Sequence, residues 1–130
     1  MLDVVREILL REPGLAFALV FGSRARGTHR ADSDLDIAIG MPEGAHLPTA
    51  QLGALLAALE SGTRCHVDIV IVSEAPIPLR FAVFRDGVDV IVRDRGELVR
   101  QKAQAIIDYL DFRPVHDRMV EGALKAAARG

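Results

Sequence analysis

The stretch Leu15-Ala-Phe-Ala-Leu-Val-Phe21-Gly22-Ser23-Arg24-Ala-Arg26-Gly-Thr-His-Arg-Ala-Asp-Ser-Asp34-Leu35-Asp36-Ile37 decides how this chain is read. Its first part is an unbroken apolar run, which reads as a strand buried on both faces. The run stops at Gly22-Ser23 and enters a short Arg/Ala turn. Backbone N–H groups at such a turn, with glycine allowing close approach, suit a polyphosphate. Ten residues separate Ser23 from Asp34-Leu35-Asp36. Side chains alternate along a strand, so Asp34 and Asp36 point one way while Leu35, Ile37 and Ile39 point the other. Two carboxylates about 6.6 Å apart along a strand can lean onto a pair of divalent ions roughly 3.5–4 Å apart. An anion cradle beside a metal-binding acid pair points to a nucleoside triphosphate.

Working outward, 130 residues are read as a single domain, 1–130, with one core and no room for a separate recognition domain. Lys plus Arg number 16 against 18 Asp plus Glu, so the chain lacks the overall electrostatic footprint of a nucleic-acid binder. Direct nucleic-acid binding is not expected. The Met1-Leu2-Asp3 start has no leader pattern and no apolar run approaches a membrane span, so a soluble, cytoplasmic protein without membrane contact is expected. Cys65, the single cysteine, offers no disulfide and no thiolate cluster; a buried structural thiol is expected.

Periodicity predicts a short amphipathic helix over Leu2 to Arg11, ended by Glu12-Pro13-Gly14. Strands are predicted at Leu15 to Phe21, Asp34 to Gly40, Cys65 to Val72 and Val88 to Val92. Between them, Thr49 is expected to cap a helix running to about Glu60, with Leu52, Leu55, Leu56 and Leu59 on one stripe. Pro76 and Pro78 should break the chain before a helix at Leu79 to Arg85. From about Gly96 the chain reads as helical with a break near Pro114. Ile106, Leu110, Met119, Ala123 and Leu124 form apolar stripes there, and core packing is their expected use.

Two shorter motifs are misleading. Gly22-x4-Gly27-Thr28 imitates a P-loop but lacks the lysine before the threonine. Asp32, Asp34, Asp36 and Glu43 fall at EF-hand positions, yet Ile37 stands where that loop needs glycine. A third acid, Asp68, lies inside the run His66-Val67-Asp68-Ile69-Val70. An ionised carboxylate in such a run is costly unless paired, and a metal shared with Asp34 and Asp36 would remove that cost. The bland alternative is an exposed acid on an edge strand. Arg24 and Arg26, if they face the cradle, would neutralise phosphate charge. The four histidines show no metal-ligand spacing, and His66 reads as a strand residue near the site with no assigned role.

With Gly-Ser, ten residues, Asp-x-Asp and a later strand Asp, the chain resembles the minimal nucleotidyltransferases of the polymerase-β-like superfamily. Pro76 to Gly87 and Tyr109-Leu-Asp-Phe-Arg-Pro114 also resemble the subgroup encoded beside HEPN-domain toxins, in which the small protein is an antitoxin. The resemblance implies an α/β (α+β) fold, a small mixed sheet of about four strands flanked by helices. It implies that Gly22 and Ser23 hold the triphosphate of ATP. Asp34 and Asp36 would ligate Mg²⁺, two ions in all, and Asp68 would complete the catalytic metal site and help deprotonate the acceptor.

The expected activity is transfer of AMP to a hydroxyl, a tyrosine in that subgroup, of a cognate HEPN ribonuclease toxin. Other readings are a non-enzymatic antitoxin that neutralises by occlusion and a small-molecule nucleotidyltransferase of the aminoglycoside type, for which this length leaves no obvious acceptor-shaping domain. A nucleic-acid nucleotidyltransferase is disfavoured by the few stacking aromatics.

Overall fold

The computed structural model describes residues 1–22 and 34–129, with 114–116 and 129 through their backbone only. Helix α1 (Leu2–Leu10) leads into strand β1 (Phe17–Phe21). Strand β2 (Leu35–Gly40) is followed by helix α2 (Thr49–Thr63) and strand β3 (Val67–Ile71). A 3-10 turn at Val72–Glu74, helix α3 (Ile77–Asp86), strand β4 (Val88–Val92) and helix α4 (Arg95–Arg129) complete the order. The strands make one mixed sheet, β3-β2-β1-β4, in which β1 is antiparallel to both neighbours and β2 is parallel to β3. Parallel neighbours need a long crossover, and α2 provides it.

Strand alternation assigns the two faces. Ala18 and Val20 of β1, Leu35, Ile37 and Ile39 of β2 and Val67 of β3 join one core with Val5, Ile8 and Leu9 of α1 and Leu55 and Leu59 of α2. Phe17, Leu19 and Phe21, with Ala38, join a second core with Val83 and Phe84 of α3 and Leu98 and Ala105 of α4. Covered on both sides, β1 is buried at every position, as its unbroken apolar sequence predicts.

Several boundaries differ from the sequence expectation. Thr49 is the first helical residue of α2 and makes no side-chain cap; Pro48, extended at φ −57° and ψ 145°, occupies the cap and its carbonyl accepts from Leu52 N–H at 3.0 Å. Helix α3 begins at Ile77, with Pro78 in its first turn, where a missing N–H costs nothing. Cys65 is half-buried, its Sγ against the Thr63 carbonyl at 3.4 Å.

The larger departure is α4. It runs on through Pro114 as one 35-residue helix. A proline in a helix interior costs about 3 kcal/mol, but locally, and the ladder on either side is untouched. Ile106, Leu110, Met119, Ala123 and Leu124 do not complete the core; they are exposed, Met119 to 69% and Leu124 to 67%. The reason is geometric. Four strands span roughly 15–20 Å, whereas α4 is roughly 50 Å long, so the sheet is used up after Leu98, Gln101 and Ala105. Further along, the Tyr109 ring stacks on Phe81 of α3 at 4.0 Å beside the Arg80–Asp108 ion pair at 3.4 Å.

At the far end of β2, a Cβ on Gly40 would stand inside the ring of the fully buried Phe17, its register partner on β1. Gly40→Ala should therefore cost about 1–3 kcal/mol of overpacking strain. In urea melts the Gly40→Ala/Phe17→Leu double variant should lose clearly less than the sum of the two single losses. Additive losses would show that the ring does not limit residue 40.

Candidate active site

Two strands bring their acids to one end of the sheet, beside the end of β1. Antiparallel pairing sets Phe21, the last residue of β1, opposite Asp36, and parallel pairing sets Asp36 opposite Asp68. Adjacent strands lie about 4.8 Å apart, so the carboxylates share a small space. Leu35 and Ile37 are in the first core, which turns Asp36 to the second face, and Asp68 is turned the same way between Val67 and Ile69. The Leu35 N–H donates to the His66 carbonyl at 2.9 Å, extending the ladder back to Asp34.

Gly22 closes the site from above. It is left-handed, at φ +77°, and a Cβ there would run into Asp36 Oδ2. Two independent constraints thus demand glycine: a backbone region closed to most side chains and the approach of the turn onto a carboxylate.

Burial, then the charges of Asp68 and Asp34, push the Asp36 carboxyl above its ordinary value of 3.8. Asp68 itself is not buried, with a side chain 55% exposed on edge strand β3, so the expected cost of an acid inside an apolar run does not arise. Its position is instead set by register. Ligand atoms of Asp34, His66 and Asp68 all lie within 4.8 Å of one another. Hard carboxylate oxygens crowded by like charge fit a divalent cation such as Mg²⁺.

Sequence reasoning named Gly22, Asp34, Asp36 and Asp68, and the fold brings these four together. Ser23, Arg24 and Arg26 lie outside the described residues. Sequence reasoning assigned no role to His66 and did not single out Glu60. His66 Nδ1 is 3.2 Å from Glu60 Oε2 and its Nε2 is 3.4 Å from Asp68 Oδ1. Glu60 Oε2 also accepts from Val67 N–H at 3.2 Å. Nothing local signals these contacts, because they need the left-handed turn at Arg64 (φ 56°) that folds α2 back onto β3. On the same face, beside β4, a cavity of about 420 Å³ is lined by Leu19, Phe84, Gly87, Val88, Arg95 and Lys102, among others.

The charge crowding has a stability consequence. An acid whose folded pKa is raised binds its proton more tightly in the folded state, so stability is lost as pH rises from 3.8 through the folded value. Asp36→Asn should therefore raise the melting temperature of metal-free protein at neutral pH, with the gain shrinking toward pH 3.8. Saturating Mg²⁺ should stabilise the wild type, by about 2.7 kcal/mol at a hundredfold excess over Kd, and the variant much less. A variant that melts lower without metal, or responds to Mg²⁺ as fully as the wild type, would contradict this account.

The sequence profile of the family described as polymerase beta, nucleotidyltransferase matches residues 4–96, which hold all four strands and every candidate acid. No curated protein matches the sequence. Among solved structures, the chain resembles one in a toxin–antitoxin crystal structure with AMP-PNP, at TM-score 0.81 and 21% identity over 95% of this chain and 98% of that one. It also resembles a chain in the complex of tri-AMPylated Shewanella oneidensis HEPN toxin with MNT antitoxin, at TM-score 0.73 and 18% identity over 95% and 99%. At those identities the likeness establishes the fold. A structure assigned as a minimal nucleotidyltransferase is 36% identical over 67% of this chain and 90% of its own, at TM-score 0.55. Profile, sheet order and the acids gathered under Gly22 agree: this chain belongs to the polymerase β nucleotidyltransferase family.

Proposed function

We propose that this protein transfers AMP from ATP to a hydroxyl of a HEPN-type ribonuclease toxin and so acts as its antitoxin. The observation that carries the reading is the Gly22 turn closed onto Asp36, itself opposite Asp68. Asp34, Asp36 and Asp68 would hold Mg²⁺, two ions by the family resemblance, which when bound supplies charge stabilisation to the attacking and leaving oxygens. Gly22 and Ser23 receive the phosphates, with Arg24 and Arg26 as counter-charge. The acceptor oxygen attacks the α-phosphorus, the bond to the pyrophosphate oxygen breaks, and the acceptor proton passes to a carboxylate. Asp68, on an exposed edge, is the acid an incoming hydroxyl can reach. The cavity beside Lys102, Arg95 and Asp89 lies on the same face and offers room for the rest of the nucleotide, with Lys102 as a cation beside the Arg95–Asp89 pair.

The acceptor is read as a protein because α4 projects Leu110, Met119, Val120 and Leu124 into solvent, with none of the described residues covering them. Relatives of this fold are seen in toxin–antitoxin complexes, one of them with an AMPylated HEPN toxin. The same exposed face favours a second reading, in which binding alone occludes the toxin. No helix among the described residues is long and apolar enough to cross a membrane.

Mixed with its toxin, Mg²⁺ and ATP labelled at the α-phosphate, the protein should transfer label, and γ-labelled ATP should transfer none. Asp36→Asn should lower the rate roughly 10²–10³-fold, the scale of losing one preorganised electrostatic element. Toxin separated after reaction should stay inactive and carry the mass of added AMP; full recovery on separation, with no added mass, would establish occlusion instead.

Because Met119 and Leu124 are exposed, Met119→Glu/Leu124→Glu should change folding stability by less than about 0.5 kcal/mol per site. In calorimetric titration with toxin the same variant should bind at least about tenfold more weakly, the loss of a buried apolar contact. Unchanged affinity would place the partner elsewhere.

A further inference from the structure

We propose that His66 is a ligand of the acid cluster and biases it toward first-row transition-metal ions over Mg²⁺. This rests on the reading that Asp34 and Asp68 hold a divalent cation, and adds to it a residue with different chemistry. His66 is fixed beside those acids by its backbone. Its carbonyl accepts from Leu35 N–H at 2.9 Å, next to Asp34, and the following Val67 N–H donates to Glu60 Oε2 at 3.2 Å.

The side chain is then oriented by a carboxylate from another element. Glu60, in the last turn of α2, places its Oε2 3.2 Å from His66 Nδ1. That contact leaves Nε2 facing the cluster, 3.4 Å from Asp68 Oδ1. A divalent ion between that nitrogen and the carboxylate oxygens would take the place of any proton held there. A carboxylate on one ring nitrogen with a metal on the other is the usual outer-shell arrangement of ligating histidines. The span also fits: ligands held about 2.1 Å from one ion lie roughly 3–4.2 Å from each other, and here the three ligand atoms lie within 4.8 Å. All three side chains are exposed, so small rotations close the remainder.

The choice of ion follows from the donor set. Mg²⁺ favours oxygen ligands and retained water, so an all-carboxylate site serves it well. An imidazole nitrogen adds affinity that rises along the first-row series and gives Mg²⁺ little. Asp34–His66–Asp68 should thus prefer Mn²⁺ to Mg²⁺ by more than its two carboxylates alone.

The test uses the full chain and MnCl₂ alone, with binding read by electron paramagnetic resonance and Mg²⁺ added as competitor. Pulsed spectra of the bound ion should show coupling to a coordinated nitrogen in the wild type, and His66→Gln should abolish it. The same variant should raise the Mn²⁺ dissociation constant about tenfold, the scale seen when a ligand's support is removed. The Mg²⁺ competition constant should move less than about twofold. His66 is 63% exposed, so the variant should melt as the wild type does. Mn²⁺ bound with no nitrogen coupling, or with coupling and affinity unchanged in His66→Gln, would overturn the proposal while leaving the carboxylate site intact. Failure of the underlying reading is distinct: Asp34→Asn/Asp68→Asn would bind Mn²⁺ as the wild type does, placing the ion elsewhere.

Discussion

The parallel pairing of β2 with β3, Asp36 opposite Asp68, is the constraint on which the rest of this molecule depends. It is enforced from the opposite face of the sheet. Leu35, Ile37 and Ile39 must enter the core shared with α1 and α2, and Val67 with them. Because side chains alternate, slipping either strand by one residue would drive its acid into that core and lift its apolar residues out. The burial of several aliphatic side chains, each about 1.5–3 kcal/mol, thus outweighs the repulsion of neighbouring carboxylates. The core places the chemistry, and the chemistry is carried at some cost to the metal-free fold.

That cost is visible at Asp36, whose carboxyl is pushed upward by burial and by two neighbouring acids. Charge of one sign gathered at a rigid strand end is a poor way to stabilise a protein and a good way to attract a cation. Gly22 completes the arrangement by bringing the turn onto Asp36 without a Cβ between them. The turn and the acid cluster therefore meet at one close contact. Glu60 and His66 extend the cluster toward α2, whose last turn reaches the site only through the left-handed turn at Arg64.

The other organising fact is a mismatch of lengths. A four-stranded sheet can bury about a third of a helix as long as α4, whose last buried described residue is Ala105 and whose Tyr109 still stacks on Phe81. Beyond it, apolar side chains stand in solvent on a helix that does not break at Pro114. Scattered exposed apolar residues are ordinary on protein surfaces, but a succession of them along one projecting helix is a surface suited to another protein.

Much of this was legible in the sequence because the signals are local. The run Leu15 to Phe21 announces a strand covered on both faces, Asp34-Leu35-Asp36 announces two acids on one side of a strand, and Gly22 announces the turn at the end of the first strand. Periodicity alone could not say what the stripes of α4 pack against, since a helix face destined for a core and one destined for a partner obey the same spacing. It misplaced the ends of α2 and α3, where prolines entered a cap and a first turn instead of breaking the chain. It explained Asp68 by a buried charge, whereas the edge position of β3 leaves that acid exposed and the strand register makes it a neighbour of Asp36. The link from Glu60 through His66 to Asp68 had no sequence signature, because it is made by a chain reversal that only the packing of α2 against the sheet dictates. Local pattern determined which strands form and where their acids fall; tertiary contact decided those acids' neighbours, because register and packing depend on the whole core.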